Sequence, residues 1–107
     1  MTTPLTLGTA RGRDGTFALV AEGEIDLSNI DAFGRALAAA ATEATGGAAL
    51  RVDLSAVEYL DSAAINALAA YADRIELVAH PTLMPVLKVS GLAELTTIEP
   101  APPAGQH

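Results

Sequence analysis

The side chains best able to do chemistry in this 107-residue chain are hydroxyls and carboxylates. Asp61-Ser62 stands at a predicted helix start, where unpaired backbone N–H groups and the positive end of the helix dipole suit a phosphorylated serine. A phosphoryl group there adds about −1.5 to −2 charges at pH 7, enough to oppose docking of another protein while leaving the fold intact. The plainer reading of the same pair is a helix cap, since Asp and Ser are common at helix starts.

Other constellations lack parts. Asp53, near the end of a predicted strand, could accept a phosphoryl group as receiver domains do. That chemistry needs an acidic pair after the first strand to hold Mg²⁺ and a lysine near a late strand. No acidic pair follows Thr6 to Ala10, and Lys88 falls in a predicted helix, so Asp53 reads as structural. Glu22, Glu24 and Asp26 offer carboxylates to a hard cation. Alternate residues of an extended stretch simply share a face, however, and no glycine-spaced calcium loop follows, so no metal site is assigned. There is no G-x-S-x-G turn and no glycine-rich phosphate loop. The two histidines, His80 before a proline and His107 at the end, do not pair with Ser62 as a base. The chain is read as a non-enzyme with no cofactor; a small nucleotide-hydrolysing domain is the competing class.

These residues need a frame. Thr6 to Ala10 and Thr16 to Ala21 flank Arg13-Asp14-Gly15, a hairpin signal. Ser28 with Asp31 resembles a capping box, and Ile30, Phe33 and Leu37 form one apolar stripe, so a helix follows, ended by Gly46-Gly47. Leu50, Val52 and Leu54 alternate with Arg51 and Asp53, which is a strand. A second helix starts at Asp61-Ser62 with Ile65, Leu68 and Ala72 inward, and Ile75 to Ala79 is the next strand. The short interval between Ile65 and Ile75 predicts a truncated helix or an early strand. Thr82 caps a third helix that tolerates Pro85 and ends at Gly91. Thr96 to Glu99 is a last strand, before a Pro-rich tail.

The order ββαβαβαβ predicts an α/β fold, a mixed and mostly parallel sheet with helices packed on it. The domain is expected over residues 1–99 and a frayed tail over 100–107. The core should hold Leu19, Ile25, Phe33, Leu37, Leu50, Val52, Leu54, Ile65, Leu68, Leu77, Val78, Leu87 and Leu92.

Bulk properties narrow the partners. A net charge of −7 with six scattered Lys and Arg argues against nucleic acid and against anionic membranes. Without cysteine there are no disulfides, thiol chemistry or thiolate metal sites. No signal peptide is visible and no apolar run nears the roughly 20 residues of a bilayer span, so a cytoplasmic location is expected. The Ala-rich stretch of the first helix is a candidate seam for a weak homodimer.

Three blocks resemble the STAS family. They are Gly23-Glu24-Ile25-Asp26 before a helix; Val52-Asp53-Leu54-Ser55, Val57 and Tyr59-Leu60-Asp61-Ser62; and Pro81 through a helix to Ser90-Gly91-Leu92. They occur in the family's order and span nearly the whole chain. As a single STAS domain, the chain resembles the bacterial anti-sigma factor antagonists. The resemblance implies a partner-binding switch in transcription regulation, in which the antagonist binds an anti-sigma factor and frees a sigma factor. It also implies phosphorylation at Ser62 by an anti-sigma factor that is itself a serine kinase. The docking face is expected to take Glu24, Asp26 and Ser28 from one loop and Glu58, Asp61, Ser62 and Ala63 from the next junction, with Tyr59 and Asn66 added for their expected surface positions. The family motif has Gly after the serine where this chain has Ala63-Ala64-Ile65, so a constitutive, unphosphorylated antagonist is an alternative. A second alternative is a STAS accessory subunit of an ABC-type lipid transporter.

Overall fold

The computed structural model describes residues 3–12, 16–44 and 49–102. Strand β1 (Thr6–Arg11) lies antiparallel to β2 (Phe17–Ile25), with Thr6 opposite Glu22 and Arg11 opposite Phe17. Helix α1 (Ile30–Glu43), β3 (Leu50–Leu60), α2 (Ser62–Ala69) and β4 (Ile75–Ala79) follow. Helices α3 (Met84–Val89) and α4 (Leu92–Leu95) then lead to β5 (Thr97–Pro100). The strand order is β1-β2-β3-β4-β5, and every pair after the first is parallel.

Because the crossovers advance in one direction without reversal, right-handed connections put all the helices on the same face. Burial follows from the two-residue repeat of a strand. Leu19, Ala21 and Ile25 of β2, Leu50, Val52 and Leu54 of β3, and Ile75, Leu77 and Ala79 of β4 are buried beneath the helices. Arg51, Asp53, Glu76 and Val78 point to the other face and are only half-buried. The helices therefore cover one side of the sheet, and Val78, expected in the core, lies on the open side. Asp53 has a structural task there: its Oδ1 accepts from Ser55 N at 2.9 Å and Ser55 Oγ at 2.6 Å.

Several boundaries differ from the expectations. Helix α1 starts at Ile30 with Asn29 at the cap position and no side-chain cap, because the Ser28 hydroxyl is committed to Asp26 Oδ1. Its buried stripe is Phe33, Leu37 and Ala40, with Ile30 half-buried beside it. Helix α2 is short, as predicted from the interval before Ile75, and it packs through Ala64 and Leu68. Ile65 is half-buried, and Ala72 belongs to a 3₁₀ turn after the helix. His80, not Thr82, caps the entry to α3, with Nδ1 accepting from Thr82 N at 3.1 Å ahead of a 3₁₀ turn, Pro81–Leu83. Gly91, at φ +86°, ends α3 in the left-handed region that glycine occupies freely, and α4 was not anticipated. The sequence starts the tail at Pro100, yet Pro100 closes β5 and the buried Ala101 donates its N–H to Ala79 O at 2.8 Å. Arg13-Asp14-Gly15, Gly46-Gly47 and the tail beyond Pro102 lie outside the described residues.

Candidate partner-binding face

Parallel strands β2 and β3 end side by side, so the loops that leave their carboxyl ends meet. Asp61 joins them. Its extended backbone donates N–H to Ile25 O at 3.2 Å. Its Oδ1 accepts from Ala63 N at 3.0 Å and Ala64 N at 3.2 Å, which caps α2. Its Oδ2 accepts from Leu27 N at 3.1 Å, which fixes the β2–α1 loop against the same helix start. One carboxylate therefore sets both the direction of α2 and the place of the neighbouring loop.

That loop is shaped from within. Asn29 Oδ1 accepts from Asp26 N at 2.9 Å while its Nδ2 donates to Glu24 O at 2.9 Å. Asp26 Oδ1 in turn accepts from Ser28 N at 2.9 Å. Leu27 is left at the tip, 76% exposed.

The second feature is an irregular register. The β2–β3 pairing shifts between Val20 and Glu22 and again between Gly23 and Glu24, so Glu24 sits opposite Tyr59. The extra residues let Val57 and Leu60 both point into the core, although three positions apart, and leave Glu58 and Tyr59 both exposed. Gly23 makes a further contact possible. At φ +99° it lies against the backbone of the N-terminal residues, where an added Cβ would fall 2.2 Å from Pro4 O. Thr3 is thereby strapped across the face: Thr3 N donates to Glu24 Oε2 at 3.4 Å, Thr3 Oγ1 to Glu58 Oε1 at 3.2 Å, and Glu24 N to Thr3 O at 3.2 Å.

Ser62 is the first residue of α2 and is exposed, as is Asn66 one turn later. Ala63 is half-buried, and Ala64 is fully buried against the sheet. All nine residues predicted for the docking face thus lie at the carboxyl ends of β2 and β3 or on the adjoining turn of α2. Sequence reasoning missed Thr3, Leu27 and Asn29. A positive-φ glycine before Glu24 and a lone leucine between Asp26 and Ser28 were the available signals.

The electrostatics revise one expectation. The helix-start N–H groups of Ala63 and Ala64 are already satisfied by Asp61, so they are not waiting for a phosphate. A phosphoryl group on the exposed Ser62 would instead stand in solvent next to Asp61, at the end of the sheet that also carries Glu24, Asp26 and Glu58. Among the described residues the partners of these carboxylates are N–H groups and hydroxyls, not cations. Added negative charge is therefore uncompensated by a cation among the described residues. No group of three or more potential metal ligands clusters among the described residues. His80 Nδ1 is committed to Thr82, through its N–H and through Oγ1 at 2.9 Å, so it offers Ser62 no base. No helix among the described residues is long and apolar enough to cross a membrane.

The family described as "Mlab, STAS domain" matches residues 9–97. The chain belongs to the STAS family. No curated protein matches it in sequence. An anti-sigma factor antagonist from Mycobacterium paratuberculosis has a similar structure, with TM-score 0.81 and 27% identity, covering 94% of this chain and 92% of that one. Two further similar structures share the STAS fold at lower identity. One is the anti-sigma factor antagonist SpoIIAA in its unphosphorylated form, at TM-score 0.68 and 14% identity, covering 91% and 89%. The other is the Bacillus cell fate determinant SpoIIAA in the phosphorylated form, at 0.57 and 18%, covering 91% and 92%. The STAS fold is thus seen with and without phosphate in a related structure.

The role of Asp61 predicts a stability effect. Asp61→Ala loses three accepted N–H bonds and should cost about 1–2 kcal/mol in urea unfolding, the upper range of a lost helix cap. Asp61→Asn retains an acceptor for α2 but sets its amide against Leu27 N–H, and should fall between Ala and wild type. An Asp61→Ala protein as stable as wild type would show that the carboxylate does not hold the two loops together.

Proposed function

We propose that this chain is an anti-sigma factor antagonist. It binds an anti-sigma factor through the face around Ser62 and so frees a sigma factor. Glu24, Asp26 and Ser28 from the β2–α1 loop, Glu58 and Tyr59 from the bulge, and Asp61, Ser62, Ala63 and Asn66 around the start of α2 make the contacts, joined by the exposed Leu27. The observation that carries the reading is an exposed serine at the head of α2, next to the capping Asp61, in a chain whose backbone follows that of an anti-sigma factor antagonist over 94% of its length.

The same face is the point of control. Ser62 Oγ bonds to the γ-phosphorus of ATP held by a serine kinase, the bond to the departing ADP oxygen breaks, and the hydroxyl proton leaves to a base on the kinase. The product carries its new charge next to Asp61 at an end of the sheet that already holds several carboxylates, so like-charge repulsion and the cost of desolvating the phosphate oppose docking. Incubation with the cognate anti-sigma factor and ATP, followed by intact mass and fragment mapping, is expected to show one added phosphoryl group on Ser62. No added mass, together with tight binding of the unmodified protein, would leave a constitutive antagonist.

A second reading follows from membership of the STAS family, whose domains also resemble accessory subunits of transporters: an accessory subunit of an ABC-type lipid transporter. Affinity purification from the native cells distinguishes the two, by recovery of an anti-sigma factor or of a transporter ATPase.

A further inference from the structure

Strand β3 is paired unequally on its two sides. Toward β2 the ladder runs to Ile25↔Leu60, but toward β4 it ends at Leu54↔Ala79. The reason is local. Pro81 lacks an N–H and has a fixed φ, and the preceding His80 caps a 3₁₀ turn, so the chain leaves the sheet after Ala79. Ala79 O is taken by Ala101 N, which keeps the end of β4 tied to the β5 side. Residues 56–60 are therefore left with an edge that β4 does not cover, about 17 Å of strand at 3.3–3.4 Å per residue. Beside it lies a cleft of about 420 Å³ lined by Ser55, Ala56, Val57, Glu58, His80 and Thr82.

We infer that this edge of β3 takes an extended peptide segment of a partner protein, added as a strand along residues 56–60 with a lysine or arginine reaching Glu58. The occupant follows from chemistry. An open strand edge presents N–H and C=O groups that an extended backbone can pair with, here in two short runs, 56–57 and 59–60, on either side of the bulge at Glu58. Its charge follows from the lining, which contains one carboxylate and neither lysine nor arginine, in a chain of net charge −7. The small Ala56 leaves room for the incoming chain. The cleft flanks β3 on the β4 side and does not involve the Ser62 hydroxyl; it shares Glu58, which also accepts from Thr3 Oγ1, with the proposed docking face, and a synthetic peptide rather than the anti-sigma factor tests it.

The test uses the full chain and a synthetic probe. Acetyl-Lys-Val-Lys-Val-Lys-amide is titrated to millimolar concentration while backbone amide resonances are followed. Saturable shifts are expected at residues 55–60 and 80–82. Replacing the central lysine by proline, which removes an N–H from the added strand, should weaken binding about tenfold, and the all-glutamate peptide should bind at least about tenfold more weakly. Glu58→Gln should weaken the lysine peptide about two- to fivefold, the range of a single exposed charge pair. No shift at residues 55–60, or shifts confined to the outer edges at residues 6–11 and 97–100, would overturn the inference, as would equal binding of the glutamate peptide. Any of these results would leave anti-sigma factor binding untouched, because the probe is not that partner.

Discussion

Ser62→Asp should bind the cognate anti-sigma factor at least about tenfold more weakly than wild type, while Ser62→Ala stays within about threefold, since like charges placed together at an interface cost several kcal/mol. The asymmetry comes from the surroundings. Ser62 is exposed, so removing its hydroxyl breaks no hydrogen bond in the core and leaves the cap on α2 to Asp61. Aspartate adds a charge to a rim that already holds Glu24, Asp26, Glu58 and Asp61. The first turn of a helix accepts an acidic residue well, so the fold should tolerate it. Unfolding curves of the two variants should therefore nearly superimpose while their isothermal titrations with the anti-sigma factor diverge. Equal affinities would remove Ser62 as the switch. Equal losses of stability and affinity would mean that folding, not docking, had changed. Phosphoserine should act more strongly than aspartate, because it carries about −1.5 to −2 charges against one.

Gly23→Ala should destabilise the protein by about 2–4 kcal/mol, combining about 1–2 kcal/mol for a left-handed backbone with a Cβ and the strain of a forced overlap. The added carbon would meet Pro4 O at 2.2 Å, a backbone atom that cannot rotate away. Either β2 twists at its functional end or the N-terminal strap lifts off Glu24 and Glu58. A domain of about this size loses roughly 4–8 °C in Tm for each kcal/mol, so thermal unfolding detects the effect. Amide exchange distinguishes the two routes, since lifting the strap exposes Glu24 N, now bonded to Thr3 O. An unchanged Tm with unchanged exchange at Glu24 would show that Thr3 and Pro4 do not rest against Gly23.

Both predictions join local pattern to long-range contact, and the two differ in how far they are legible in the chain. Alternation in Leu50 to Leu54 and the spacing of Phe33 and Leu37 depend only on the repeat of each element, and the structure places these side chains in the core. Ser62 at a helix start is legible for the same reason, since Asp-Ser before a helical stretch is a local signal. Ile65 and Val78 are apolar residues that periodicity alone assigns inward. They lie at the margin of the helix interface and on the open face, because where α2 rests and which face of the sheet is covered depend on the crossovers. Ser28 was expected to cap α1, but Asp26 outcompetes the helix end for its hydroxyl.

The amino-acid order alone determined the succession of strands and helices, the acidic character and the hydroxyl at the head of α2, each encoded within a few residues along the chain. Tertiary structure decided what surrounds that hydroxyl. Asp61 reaches Leu27 across 34 positions and Thr3 reaches Glu58 across 55, and the register shift that exposes Tyr59 exists only where β2 meets β3. Contacts at such separations follow from how strands align against one another, and no pattern within a single segment carries that alignment.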